Sequence, residues 1–303
     1  MTLTKTNLLL EELGAAPATP ATGAWKAFFK SDGLYVVDDA GAVTGPFGTG
    51  GGGASGHGQC RLTKSGANLL LSPFNGNQLI INSVACVIPD AGVTLAPPAV
   101  ASTTYYIYAY MNGATMTLEQ SATAPAVQAT TNVRIKTGDA TRTLVGMART
   151  TSGNAWADTA TQMFVISYFN RRGKAGKNNF TALRTTTSSS YVELNTEIRI
   201  EFLTWGDEAI QLNLGGSGNN GTINGFNHTS FGIDGTTVED TFSQAQGYTA
   251  GATLTYNLAY AKSGIAEGYH YVTVLGRGNG TTGAWSGGAT LGERVSQTIM
   301  IRG

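Results

Sequence analysis

An all-β architecture is predicted from three features of the chain. Charged residues are scarce, at 13% of the 303, and Lys+Arg balances Asp+Glu at 19 each. Its 41 glycines accompany abundant Thr, Ser and Asn, the composition of short strands joined by tight turns. Apolar residues also alternate over short runs, as Val192 and Leu194 and then Ile198, Ile200 and Phe202 do in YVELNTEIRIEFLTW. The 41% hydrophobic content is enough for real cores.

From the N-terminus, TKTNLLLEELG reads as a short helix with Leu9, Leu10 and Leu13 on one side, stopped by Gly14, Pro17 and Pro20. GAWKAFFKSDGLYVVDDAG then reads as a hairpin around Asp32-Gly33, with Trp25, Phe28 and Tyr35 as its large side chains. A ten-residue helix and a lone hairpin are each marginal in water, so residues 1–47 read as an anchor that a partner or further copies complete. FGTGGGGASGHG follows, and residues 48–58, with Gly50, Gly51, Gly52 and Gly53 at their centre, are expected to be a hinge. Glycine loses the most backbone entropy on ordering, and the run has too few apolar side chains to offset that loss.

Residues 59–172 read as a small middle β-domain with turns at Asn82-Ser83, Pro89-Asp90 and Asn112-Gly113, the last a type I′ pair. Both sides of Tyr105 to Tyr110 are apolar or aromatic, so that strand is expected to be covered on both faces. Residues 173–179 in RRGKAGKNN read as a polar, basic linker, and residues 180–303 as a β-sandwich whose last strand runs to Arg302.

Charge balance speaks against nucleic acid, which a basic stripe normally serves. No apolar run approaches a membrane span, and no export signal is visible. Cys60 and Cys86 lack metal-ligand spacing and are expected as free thiols, with a bridge as the alternative. Of the three histidines, His57 reads as a solvated hinge residue, and His270, alternating with Val272 and Val274, as a satisfied core or interface histidine. His228 lies near Asp234, Glu239 and Asp240, so loop decoration competes with a carboxylate or metal site. No HExxH, GxSxG or phosphate-loop motif occurs, and neither enzymatic activity nor a cofactor is expected. The sequons at Asn179, Asn220, Asn227 and Asn279 read as compositional accidents.

The stretch GAAPATPATGAWKAFFKSDGLYVVDDAGAV resembles the N-terminal attachment segments of bacteriophage tail fibres and related virion appendages. CRLTKSGANLLLSPFNGNQLIINSVACVIPDAGVTL, TTYYIYAYMNGATMTLE and the segment from Ile135 to Arg172 are similar to a module of phage structural proteins, so the resemblance covers roughly residues 15–172. The last third, with EGYHYVTVLGRGNGTTGAWSGG, resembles receptor-binding tips of the TNF-like or jelly-roll kind in general style. The resemblance implies a virion protein, a homotrimer that docks on other virion proteins through its N-terminus and meets a host surface glycan or outer-membrane component with its distal domain. A head fibre or capsid decoration protein, a capsule depolymerase and a bacterial adhesin are the alternatives. Trp285, set among glycines, is expected on an exposed distal loop that contacts the host; Trp205 and His228 are weaker candidates.

Overall fold

The computed structural model describes residues 15–30, 33–47, 56–289 and 292–303, and the chain divides into two compact units, 1–55 and 56–303. The expected helix with Leu9, Leu10 and Leu13, and the glycines 50 to 53, lie outside the described residues. Nearly all regular structure is β, as the composition predicts.

In the first unit β1 (Lys26–Lys30), β2 (Gly33–Val37) and β3 (Val43–Phe47) form one antiparallel sheet. The predicted hairpin is present, with Lys30 paired to Gly33. Asp38 builds the next turn, its Oδ1 accepting from the N–H groups of Ala40 and Ala42 while Gly41 takes a φ of +83°. The core is Phe28, Tyr35 and Val37, with the Phe28 and Tyr35 rings stacked at 5.5 Å. Trp25 points outward, 65% exposed, so this sheet buries little of what it carries.

The second unit opens with β4 (Cys60–Ser65), β5 (Asn68–Pro73), β6 (Gln78–Ile81), β7 (Val84–Val87) and β8 (Val93–Leu95). β4, β5 and β8 make one sheet, and β6 and β7 a separate hairpin. A larger sheet runs β10 (Thr115–Ser121), β9 (Thr104–Asn112), β13 (Asp139–Arg149), β12 (Arg134–Lys136), β11 (Pro125–Val127), with β15 (Val165–Ser167) also on β13. The β9–β10 loop is Gly113-Ala114, where only the first residue has positive φ, as in a II′ rather than the expected I′ turn. The β6–β7 loop is Asn82-Ser83, both in the left-handed region, as I′ requires.

β9 is covered on both faces, as expected: Tyr108 packs into one core while Ile107 and Ala109 pack into another. β13 is divided in the same way, Leu144 and Met147 against Val145 and Ala148, helped by a register shift between Leu144 and Gly146. One of these cores also contains Trp156 and the β4, β5 and β6 side chains; the other contains Ile198, Phe202, Trp205 and Val272 from the last third.

The last third is a sandwich. β16 (Gly173–Asn179), β17 (Arg184–Thr186), β18 (Val192–Glu193) and β19 (Ile200–Thr204) are followed by the longer strands β20 (Ile210–Asn220), β21 (Phe226–Ile233), β22 (Val238–Gln246), β23 (Thr253–Lys262) and β24 (Gly268–Arg277). β25 (Gly283–Trp285) and β26 (Ser296–Arg302) complete it. One sheet runs β14 (Gln162–Met163), β19, β24, β21, β22, and the other β16, β26, β20, β25, β17, with β23 on the free edge of β20. β16 pairs β26, β19 pairs β24, β20 pairs β23 and β21 pairs β22, the nested antiparallel pairing of a jelly roll.

Three boundaries differ from expectation. Residues 173–179 are no linker: all seven pair with β26. Lys174 is held by Asp158 and by the Val165 carbonyl, and a Cβ on Gly176 would lie 2.8 Å from the Ala160 carbonyl oxygen, so its charges and glycines serve close packing. Residues 59–172 and 180–303 accordingly share one core and form one unit. The expected hinge also ends early, because Gly56, His57 and Gly58 dock on the body. The His57 Nδ1 accepts from the Ile80 N–H, its ring meets Phe169 at 4.9 Å, and burial lowers its pKa.

Two expected outcomes follow. Ser83→Gly raises stability by about 0.5–1 kcal/mol in chemical denaturation, since the exposed serine occupies a conformation that costs an L-residue about 1 kcal/mol or more. Leu144→Ala lowers it by about 2–5 kcal/mol, and amide exchange accelerates in β4–β5 and β19–β24 together; acceleration in one region alone would contradict a shared core.

Candidate functional site

The jelly roll has two ends with different surroundings. Loops 205–209 and 263–267 face the β9–β13 sheet: Tyr106 donates to Glu267 at 2.8 Å, and Arg171 bridges Asp207 and Glu208 at 2.8 and 2.6 Å. Trp205 belongs to this junction. Its Nε1 donates to the Ser167 carbonyl, Tyr168 meets it edge-on, and it is buried, so its expected role at the host surface is replaced by a structural one.

At the other end, loops 187–191, 221–225, 247–252 and 278–282 are tied to one another. The Gly278 N–H donates to the Ser188 carbonyl, the Gly221 N–H to Thr282 and the Asn224 N–H to Gly247. Beneath them lies a buried amide pair. Asn220 donates to Asn227 at 2.9 Å and accepts from the Thr222 N–H and the Thr281 hydroxyl; Asn227 donates to the Asn219 carbonyl and the Tyr256 hydroxyl. Both sequon asparagines are therefore buried loop anchors, satisfied on nearly every side. Above them Ile223 and Tyr248 are 63% and 77% exposed.

Trp285 lies under this end and is fully buried, not held out on a loop. Its Nε1 donates to the Thr229 hydroxyl at 2.7 Å, and its ring stacks on Tyr256 at 5.9 Å. The neighbouring glycines explain the misreading: a Cβ at Gly276 would lie 2.7 Å from the indole, and one at Gly218 only 2.0 Å from the Ala284 carbonyl oxygen. They are glycines because the tryptophan and its strand need the space.

His228 is also misplaced by the sequence reading, which put it in a polar loop. It lies on β21, where Asn227, Thr229 and Phe231 face the sandwich interior, so Phe226 and His228 face outward. Gln244 and Arg277 are its cross-strand neighbours. Phe226, Phe242 and Tyr191 surround its ring at centroid distances of 4.9, 5.7 and 6.3 Å. Nε2 faces an Arg277 nitrogen at 3.4 Å, while Nδ1 is buried without a partner. Burial, and next the Arg277 charge, lower its pKa and so favour the uncharged ring. Arg277 in turn lies over the Tyr191 ring at 5.2 Å. Sequence reasoning named His228 but missed Arg277, Tyr191 and Phe242, because their meeting depends on strand register.

His270 is satisfied, as expected, between Asp234 and the Ala266 carbonyl. Asp234 is therefore committed to His270, and no group of three or more His, Cys, Asp or Glu among the described residues is placed to hold a metal ion. Cys60 and Cys86 are free, and burial pushes the Cys60 thiol up to about 12. No helix among the described residues is long and apolar enough to cross a membrane.

Trp285→Ala is expected to cost about 3–5 kcal/mol, measured by thermal or chemical unfolding, whereas Tyr248→Ala changes stability by less than about 0.5 kcal/mol.

No family model and no curated protein matches this chain. Among solved structures it is similar to BuGH86 in complex with neoagarooctaose, at 10% identity and a TM-score of 0.25, over 80% of this chain and 34% of that one. A variant of BuGH86 with the same ligand matches equally.

Proposed function

We propose that this chain is a structural protein of a bacteriophage virion, a tail fibre whose N-terminal unit docks on the particle and whose jelly roll meets the host surface. The observation that carries this reading is the end of the sandwich remote from the β9–β13 sheet. It presents four cross-braced loops with Ile223 and Tyr248 held outward on a buried Asn220–Asn227 base. Exposed aromatic and aliphatic side chains on rigid loops supply contact area at low entropic cost. The small first unit supports the anchor assignment, since a three-residue core with Trp25 exposed gains from a covering partner.

Trimeric assembly is part of the proposal. The outward face of β16, β26, β20 and β23 carries Ala175, Thr298, Met300, Gln211, Asn213, Ala259 and Ala261, with Lys177 and Arg302 as its charged residues, a surface dominated by small and uncharged side chains of the kind that packs closely against copies of itself. Repetition about an axis multiplies weak single contacts with a host surface.

Three measurements test this reading. Removing residues 1–47 leaves melting of the body unchanged but abolishes incorporation into virions. The double substitution Ile223→Ala, Tyr248→Ala lowers adsorption to host cells about tenfold or more without altering stability. Ala259→Glu, which brings like charges together across the proposed contact, converts the sedimenting species to monomer. A wild-type monomer at micromolar concentration sinks the trimer, and normal particle incorporation of the truncated chain sinks the anchor.

A further inference from the structure

Beside the loop end, the outer face of β24, β21 and β22, with Tyr191 from loop 187–191, carries a cluster whose one charge has no carboxylate partner among the described residues. Arg277 has five N–H donors, yet its contacts are long, 3.4 Å to His228 and 3.5 Å to the Ser189 carbonyl, and it makes no ion pair among the described residues. Arg184, Arg199 and Lys262 of the jelly roll each have a carboxylate within 2.6 Å, whereas Lys177, Arg294 and Arg302, like Arg277, have none among the described residues; Arg277 differs from those three in lying among aromatic rings. A half-buried guanidinium without an anion is costly unless an anion arrives from outside.

The surroundings indicate what kind of anion. Phe242 is 61% exposed, Phe226 and Tyr191 are half-buried, and the three rings flank the same His228. Gln244, directly across from His228, is exposed and makes no side-chain hydrogen bond. Open ring faces, a free amide that both donates and accepts, and one unpaired guanidinium suit a pyranose, which offers an apolar face, hydroxyls and, in acidic sugars, a carboxylate. All three rings meet the His228 ring, and Arg277 brings a guanidinium charge to the cluster. A handful of side chains is also far below the roughly 800 Å² per partner of a stable protein interface.

We propose that this face binds a carboxylate-bearing saccharide, with Arg277 pairing with the carboxylate, Phe242 and Tyr191 packing on the ring, and Gln244 hydrogen-bonding a hydroxyl. The site rests on the host-surface reading above and gives it a ligand class.

The test uses the full chain and immobilised oligosaccharides containing glucuronate, galacturonate or N-acetylneuraminate, each beside its carboxyl-reduced counterpart. Expected is binding to at least one acidic member, about tenfold weaker for its reduced twin. Arg277→Met removes that preference and Arg277→Lys restores part of it, while Phe242→Ala weakens both twins. Unfolding of each variant is followed in parallel and stays near wild type, because Arg277 and Phe242 are at the surface. Binding to no acidic member, equal binding to acid and reduced forms, or undiminished binding by Arg277→Met overturns the site. So does loss of oligomerisation in Phe242→Ala, which assigns the face to a second copy. Host-cell adsorption separates this from the broader reading: normal adsorption of Arg277→Met removes the saccharide site alone, whereas absence of wild-type protein from virions and cells removes the fibre.

Discussion

A sheet covered on one face can be detached from its neighbour; a sheet covered on both faces cannot. The β9–β13–β15 sheet is of the second kind, and the arrangement of the body depends on it. Ile107, Ala109, Val145 and Val165 complete the core that contains Trp156, while Tyr108, Leu144, Met147 and Ile166 complete the core of the last third. Removing either partner would expose large apolar side chains at roughly 25 cal/mol per Å². Alternation alone points adjacent β13 residues at opposite cores, and the register shift between Leu144 and Gly146 lets residues three apart, Leu144 with Met147 and Val145 with Ala148, share a face.

That constraint fixes which end of the jelly roll is free. Loops 205–209 and 263–267 are occupied by Tyr106, Tyr168 and Arg171, whereas the opposite end leaves Ile223 and Tyr248 exposed. Its order comes from buried polar chemistry. Asn220 and Asn227 bond two strands and two loops to each other, and Tyr256 and Trp285 close the layer below. Removing one member would leave the others unpaired in a low-dielectric interior, which is why such networks specify a single loop geometry.

Low charge has a consequence for recognition. With 19 basic and 19 acidic residues, many basic groups of the body find an internal carboxylate, and Arg171, Lys174, Arg184, Arg199 and Lys262 do so. Against that background Arg277, between His228 and the Tyr191 ring, is conspicuous chemically and not by number.

Composition and period-two alternation determined the β class, the hairpin of the first unit, the strands of the last third and the two-faced burial of Tyr105 to Tyr110, because these are local consequences of side-chain type and backbone geometry. The tertiary structure decided what glycine and charge meant. Gly176 and Gly276 read as linker and loop formers, yet each lies where a Cβ would strike a neighbouring strand or Trp285. Lys174 reads as solvated, yet Asp158, 16 residues earlier, neutralises it inside the body. Trp285 reads as displayed and is enclosed; Arg277, Phe242 and Tyr191 read as unrelated and share one face. Each of these depends on a partner distant in sequence, brought near by strand register and sheet stacking, and no local pattern encodes that distance.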